Sequence, residues 1–440
     1  MAEETYDVVV IGAGVLGSSV ALELARSGRR VVAVDRGPGA GTGSTSASSA
    51  VVRFNYSTWT GVVAAWESKH LWEKWSDHLG VPGDAPLARF VRTGGLFLDW
   101  PGQQPEKVQA LFDRAGVPYE QWDAATIRTR LPHVDPGRHF PPKQPSDGAF
   151  WADPAGELSG CWTPDAGFID DPQLAAENLA DAARRAGADF RFRAEVVEIC
   201  RQDGRVSGIA LADGTRLHAP VVVNVAGPAS SRINALADRD GDVLGEFGIT
   251  TRPMRQEVHS VTAPPGYGPG GAPGPLVADL DLGTYFRGTP GDGLLVGGTE
   301  PECDPLQWLD DPDVFDPNPT QEVFKAQVYR AARRLPDLPV PESARGIAGV
   351  YDVSDDWIPI YDRTNLRGFY VAIGTSGNQF KNAPVAGRYM TELITAVESG
   401  HDHDTDPVQV KLQRTGHVAD LGHYSRLRQI NRDSSFSVMG

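Results

Sequence analysis

The first third of the chain alternates short, unbroken apolar runs with amphipathic stretches. Tyr6–Ile11 and Arg30–Val34 are such runs, and the residues between them, up to Gly28, have helical periodicity. Continuous apolar runs bounded by turn residues predict strands buried on both faces of a parallel sheet. The reading is therefore strand, helix, strand. The turn into the helix is Gly12-Ala13-Gly14-Val15-Leu16-Gly17, and the second strand stops at Asp35. Gly12 permits the tight turn, Gly14 lets the backbone approach a pyrophosphate, and Gly17 lets helix and strand pack closely. The helix N-terminus offers unpaired N–H groups to phosphate oxygens. Asp35, 18 residues after Gly17, accepts hydrogen bonds from ribose hydroxyls. The pattern predicts a bound dinucleotide and leaves its identity open.

Further along, Thr60–Leu79 reads as a helix whose Trp66, Trp72 and Trp75 pack in the core. Thr93–Asp99 reads as a strand and Gln104–Ala115 as a helix. Asp171–Ala186 is an amphipathic helix with Pro172 in its first turn. From Asp189 to Ala219, Asp203-Gly204 and Asp213-Gly214 mark hairpins of a β-meander, which ends in the strand Val221–Val225. A Pro/Gly-rich block follows, with strands Arg255–Thr262, Thr284–Arg287 and Gly293–Gly297 and a helix Thr320–Leu335. The nucleotide pattern then returns: a strand Gly368–Ile373, a turn Gly374–Gly377, and a helix Asn378–Ala396 that contains Pro384. The tail after Gly400 is polar and expected to be loosely attached.

Composition narrows the picture by exclusion. The 440 residues suggest two to three domains, and 40% hydrophobic with 22% charged residues is ordinary for a globular chain. The formal net charge of −16 opposes nucleic-acid binding. No apolar run reaches the roughly 18 residues of a membrane span, and the polar Met1–Asp7 leaves no room for a signal peptide. Cys161, Cys200 and Cys303 form neither a disulfide framework nor a metal site, so a cytoplasmic location and no metal are expected.

Three segments together carry a resemblance. The opening unit, Val221-Val-Val-Asn-Val-Ala-Gly-Pro228 and Gly374-Thr-Ser-Gly-Asn-Gln-Phe-Lys381 resemble the D-amino acid oxidase superfamily of FAD enzymes. Within it the chain is most similar to sarcosine oxidases and the β subunit of heterotetrameric sarcosine oxidase. Ala50–Tyr56 resembles their segment beneath the flavin ring, and Gly349–Asp356 their return to the FAD domain. The resemblance implies an α/β (α+β overall) fold. A Rossmann-like FAD-binding domain of the glutathione-reductase-2 type (1–85, 146–228 and 346–398) joins a discontinuous antiparallel-sheet substrate domain (86–145 and 229–345), with 399–440 as the tail. It implies FAD, and oxidation of the C–N bond of an N-methyl, cyclic secondary or primary amino acid to an imine by hydride transfer to the flavin.

The implied cofactor contacts are Gly12, Gly14, Val15, Gly17, Asp35 and Arg36, then Ser44, Thr45, Ser46 and Ser49, with Val197, Ala226 and Gly227. The closing turn adds Gly374, Gly377, Asn378, Gln379, Phe380 and Lys381, and is expected to aim a helix N-terminus at the flavin's pyrimidine edge. Arg53 and Lys381 occupy the places of the family's carboxylate-binding cations, and a carboxylate buried over an apolar ring needs such partners. Tyr351 and Tyr285 line the implied pocket, with core packing as the alternative for either ring.

Two departures change the expectation. Gly349 stands where monomeric sarcosine oxidase has its flavin-bonded cysteine, so FAD is expected to be noncovalent. Leu295 stands where that enzyme has a lysine that assists reaction with oxygen, which favours a dehydrogenase. The electron acceptor is then oxygen or an unidentified partner, and a homo-oligomer is compatible with either. A flavin monooxygenase, a non-catalytic FAD-binding subunit and an NAD-dependent dehydrogenase are the alternatives. The histidines, His259 among them, read as structural.

Overall fold

Val8–Ile11 is buried along its whole length and pairs in parallel with Val31–Val34 on one side and Val221–Asn224 on the other. The computed structural model that shows this describes residues 4–83 and 85–439; Met1–Glu3, Asp84 and Gly440, with part of the expected polar lead-in, lie outside them. Asp189–Arg191 flanks Val31–Val34, and Phe369–Ile373 flanks Val221–Asn224, both in parallel. Ile360–Arg363 closes this six-stranded sheet as an antiparallel edge. Alternate residues serve opposite faces. Val8, Val10, Val31 and Ala33 join a core with the helices Val15–Arg26, Pro172–Arg185 and Ala383–Glu398. Val9, Ile11, Val32 and Val34 join a second core with the meander strands Val196–Gln202, Arg205–Leu211 and Arg216–His218.

The Asp203-Gly204 turn has positive φ at both residues, 51° and 71°, the geometry a two-residue hairpin favours. Asp189–Arg191 is not part of the meander as expected; it belongs to the parallel sheet beside Val31–Val34. Thr60–Leu79 is two helices, Trp59–Glu73 and Trp75–Leu79, separated at Lys74. The three tryptophans are buried there, as expected.

The second large sheet has nine strands and is antiparallel except where Leu276–Asp279 runs parallel to Gly95–Leu98. Thr251–Thr262 pairs with Gly293–Gly298 and with Gly346–Ser354, and Thr284–Gly288 continues the sheet. The helix Gln321–Arg334 packs on one face, capped by the Thr320 hydroxyl. Two strands expected in the nucleotide-binding part, Gly160–Thr163 and Gly346–Ser354, are members of this sheet. Among the described residues no helix is long and apolar enough to cross a membrane.

The tail corrects an expectation. Residues 401–439 are polar, yet several of their polar groups are matched by partners in the body or within the tail itself. Arg426 is fully buried between Asp362 and Asp404, and Arg428 meets Asp356 at 2.8 Å. The Glu67 carboxylate accepts from the backbone N–H groups of Arg414 and Thr415. Val410, Leu412 and Tyr424 enter the main core. Polarity here reflects paired burial rather than looseness.

Candidate active site

The nucleotide end is built at the carboxyl edge of the parallel strands. Gly12 has φ of 107°, and a Cβ there would lie 2.3 Å from the Val225 carbonyl oxygen. A Cβ on Gly17 would lie 2.0 Å from the Gly12 carbonyl oxygen, so both glycines are fixed by packing. Gly14 differs. Its missing side chain would meet only Thr45 Oγ1 at 3.1 Å, which leaves the helix start open to a ligand. No side chain of the N-cap residue covers that start, although the Val15 N–H donates to Thr45 Oγ1 at 3.1 Å.

A groove runs from here, lined by Gly12, Asp35, Arg36, Val196, Ala226 and Arg232 among others. Asp35 accepts from the N–H groups of Ala13 and Gly37, each at 2.7 Å, and so stands at the groove's rim with its carboxylate oriented. Arg36 lines the groove but its guanidinium is held by Asp313. Val197 is 46% exposed, and its neighbour Val196 lines the groove. Successive strand residues face opposite ways, which puts Val196 and Val197 on opposite sides. Gly227, with φ of 55°, begins the turn after Ala226.

The hydroxyl loop joins this groove to a second cavity. Ser44 donates to the Val350 carbonyl at 2.6 Å, and Ser46 donates back to Gly43 within the loop. Ser49 and the Tyr285 hydroxyl are 3.0 Å apart. Beyond it lies the second cavity. Arg53, Lys381, Tyr285, Tyr351, Gly377, Asn378 and Phe380 all line it, so residues more than 300 positions apart in sequence converge as expected. Each tyrosine ring is seated on a glycine. A Cβ on Gly297 would come within 2.4 Å of the Tyr285 ring, and one on Gly377 within 2.3 Å of the Tyr351 ring.

Two buried cations dominate this cavity. Arg53 is 6% exposed and donates to the carbonyls of Asn55 and Val438, each at 2.7 Å. Lys381 is 3% exposed and donates to the Asn378 carbonyl at 2.6 Å. The Tyr56 ring lies between them, 5.0 Å from the guanidinium carbon and 4.8 Å from the ammonium. Among the described residues neither cation meets a carboxylate. Burial, then the neighbouring Arg53, pushes the Lys381 ammonium well below its ordinary value. Burial likewise lowers the Arg53 guanidinium.

The closing turn differs from expectation in one respect. Gly374 and Gly377 both have positive φ, 67° and 69°, but the long helix starts only at Ala383. A short 3-10 turn, Phe380–Asn382, comes first, and Pro384 sits harmlessly in the helix's first turn. Gln379 is consumed by the interior, accepting from Tyr361 and Asn382. Phe380 stacks on Trp72 at 5.9 Å. The Gly374 N–H donates at 2.6 Å to Asp352, whose buried carboxyl is raised to about 7 by burial.

Sequence reasoning missed three groups. Glu300 is a carboxyl next to Tyr285 and Tyr351, pushed up to about 8 by burial. Arg287 lies over the Phe168 ring, donates to the Ser49 carbonyl at 2.8 Å, and is lowered to about 10 by burial. Val438 and Met439, from the tail, line the cavity itself. The period-2 pattern of the Thr284–Gly288 strand was available as a signal for Arg287, which is two residues from Tyr285. Nothing local marks Glu300 or the tail.

Comparison with known proteins agrees with this geometry. The family described as DAO, FAD dependent oxidoreductase, matches residues 7–393. Glycine oxidase of Geobacillus kaustophilus is 25% identical over 411 residues, covering 90% of this chain and 95% of the relative. Sarcosine oxidase subunit beta of an Arthrobacter species is 23% identical, covering 95% of this chain and 93% of that one. The crystal structure of L-proline dehydrogenase from P. horikoshii superposes with a TM-score of 0.75 at 23% identity, covering 97% of this chain and 98% of the other.

Proposed function

This chain belongs to the DAO family of FAD-dependent oxidoreductases, and from that premise we propose that it oxidises the C–N bond of an amino acid whose carboxylate is held by Arg53 and Lys381. The observation that carries the proposal is the pair of buried cations without an anionic partner. A buried charge left unpaired is costly, and a substrate carboxylate relieves two at once. Arg53 offers a fork for bidentate contact and Lys381 a point charge.

Bound FAD supplies the two-electron acceptor for the hydride that leaves the carbon next to nitrogen. The chain's own residues do the rest. Gly14, Asp35 and the Gly12–Gly17 turn would hold the dinucleotide, a reading supported by the open helix start and the oriented Asp35 carboxylate. Arg53 and Lys381 fix one end of the substrate, so its amine carbon is held in one orientation rather than free to turn. Tyr285 and Tyr351 wall the cavity. A cofactor held without a covalent bond fits the local packing. A Cβ on Gly349 would come 2.9 Å from the Ala47 Cβ, and Cys161, Cys200 and Cys303 line neither cavity.

One observation favours a dehydrogenase over an oxidase. Leu295 presents an apolar side chain, and the cation opposite it across the strand pair, Arg287, is spent on backbone carbonyls. The test is anaerobic. Sarcosine, proline and glycine are added in turn to the purified yellow protein. Bleaching of the flavin by one class supports the reading, and slow recovery in air supports a dehydrogenase. A flavin bleached by none of them and by no other amino acid overturns it, and NADPH then tests the monooxygenase alternative.

A further inference from the structure

One tail residue that lines the cavity, Val438, is held at both ends. Arg53 Nη2 donates to the Val438 carbonyl at 2.7 Å, and the Val438 N–H donates to Glu300 Oε2 at 2.9 Å. Met439, the next residue, is buried against Phe97, Leu276, Ala278 and Tyr285. Nitrogen, α-carbon, carbonyl carbon and oxygen of Val438 are bonded in the same order as amine, α-carbon and carboxyl of an α-amino acid. The site therefore receives a nitrogen at Glu300 and an oxygen at Arg53, at the spacing one amino acid imposes.

Glu300 is held for such a role. It has φ of 53°, a left-handed conformation that a residue with a Cβ adopts only at a cost. Its second oxygen accepts from Gln256 Nε2 at 2.9 Å. The charged or titratable groups that face it are Tyr285, Tyr351 and Asp304, and among the described residues no cation pairs with it. Arg53 thus lacks an anion, Glu300 lacks a cation, and a single backbone residue spans the two. A zwitterion completes both.

We propose that Glu300 is the specificity-determining residue that receives the substrate's amine, and that Val438 stands in the substrate's place until an amino acid displaces the 437–439 segment. The inference rests on the amino acid reading above. It also supplies a missing step. An ammonium placed at Glu300 passes one proton to the carboxylate: the N–H bond breaks, the O–H bond forms, and the lone pair stays on nitrogen. Burial, which pushes the Glu300 carboxyl up to about 8, makes it a good acceptor for that proton.

The experiment uses the FAD-loaded full chain and two variants, Glu300→Gln and a chain lacking residues 437–440. Bound-flavin absorbance confirms that each variant folds. Each is titrated with whichever of sarcosine, proline or glycine reduces the parent, and with propanoate, a carboxylate without an amine, read by its effect on the flavin spectrum. Glu300→Gln is expected to weaken the amino acid about tenfold or more while propanoate changes less than about twofold. Equal losses for both ligands, or no loss for either, overturn the assignment of Glu300. Removing the tail residues is expected to tighten both ligands several-fold, and unchanged affinities overturn the stand-in. Failure of every amino acid to reduce the parent flavin is a different result, and it removes the amino acid reading itself.

Discussion

Arg53 and Lys381 are where stability and function oppose each other most directly. Lys381 is buried with one carbonyl as its acceptor, and its ammonium is held well below its ordinary value by burial and by Arg53. The unfolded chain therefore binds this proton more readily than the native one, so the lysine costs stability below its unfolded value of about 10.5. Lys381→Met keeps the volume and removes the charge. It is expected to raise the stability of the protein at pH 7 by about 1–3 kcal/mol and to lower kcat/KM by about 30-fold or more. Thermal melts and steady-state kinetics of the same preparation check both halves. Arg53→Gln is expected to raise KM about 100-fold, with no effect on the FAD content read from the visible spectrum. Asp352 gives a third residue-level outcome. Its carboxyl, raised to about 7, is protonated in the native state where the unfolded carboxyl, near 3.8, is already ionised. Stability from this group is thus greatest at low pH and falls as pH rises from about 4 to about 7. Urea midpoints at pH 5 and pH 8 are expected to differ more in the parent than in Asp352→Asn.

At the scale of elements, the two glycines of the opening turn separate folding from cofactor binding. Gly12 has positive φ and no space for a Cβ, so Gly12→Ala is expected to destabilise the whole protein. Gly14 has ordinary helix-start angles and faces the groove, so Gly14→Val is expected to leave the fold and expel the dinucleotide. Circular dichroism and the flavin-to-protein absorbance ratio distinguish the two outcomes. This turn was legible in the sequence because its constraints are local: a strand, a turn and a helix start within a few residues. The same holds for the Asp171 and Thr320 caps, each of which accepts from a backbone N–H three residues on. The less legible parts are set by distant partners. The helix after Gly377 is delayed to Ala383 because Asn378, Gln379 and Asn382 are engaged by Trp357, Tyr361 and one another. The tail reads as loose because its polar groups look unpaired until Asp356 and Asp362 meet Arg428 and Arg426, and Glu67 meets the backbone N–H of Arg414.

Across the whole molecule, the dinucleotide groove and the cavity draw on segments near residues 12, 35, 49, 226, 285, 351 and 377, which belong to both large sheets. The hydroxyl loop is tied to the nine-stranded sheet by Ser44 on Val350 and by Ser49 beside Tyr285. Arg36 and Arg232, from the nucleotide part, meet Asp311 and Asp313 on the loop before the Gln321–Arg334 helix. Those last pairs are exposed and contribute little, whereas FAD bound along the groove and the cavity, as proposed, would add a link between the sheets. Removing FAD is therefore expected to lower the melting temperature, and restoring it at about 100 times its dissociation constant to return about 2.7 kcal/mol. FAD bound along the groove and the cavity, as proposed, would touch both sheets, and the loss is then expected to appear in both. Hydrogen exchange of the apoprotein should quicken at Gly12–Gly17 and at Gly346–Ser354 together. Quickening confined to Gly12–Gly17 would mean that the nine-stranded sheet holds its shape without the cofactor and that the cavity is formed before FAD arrives.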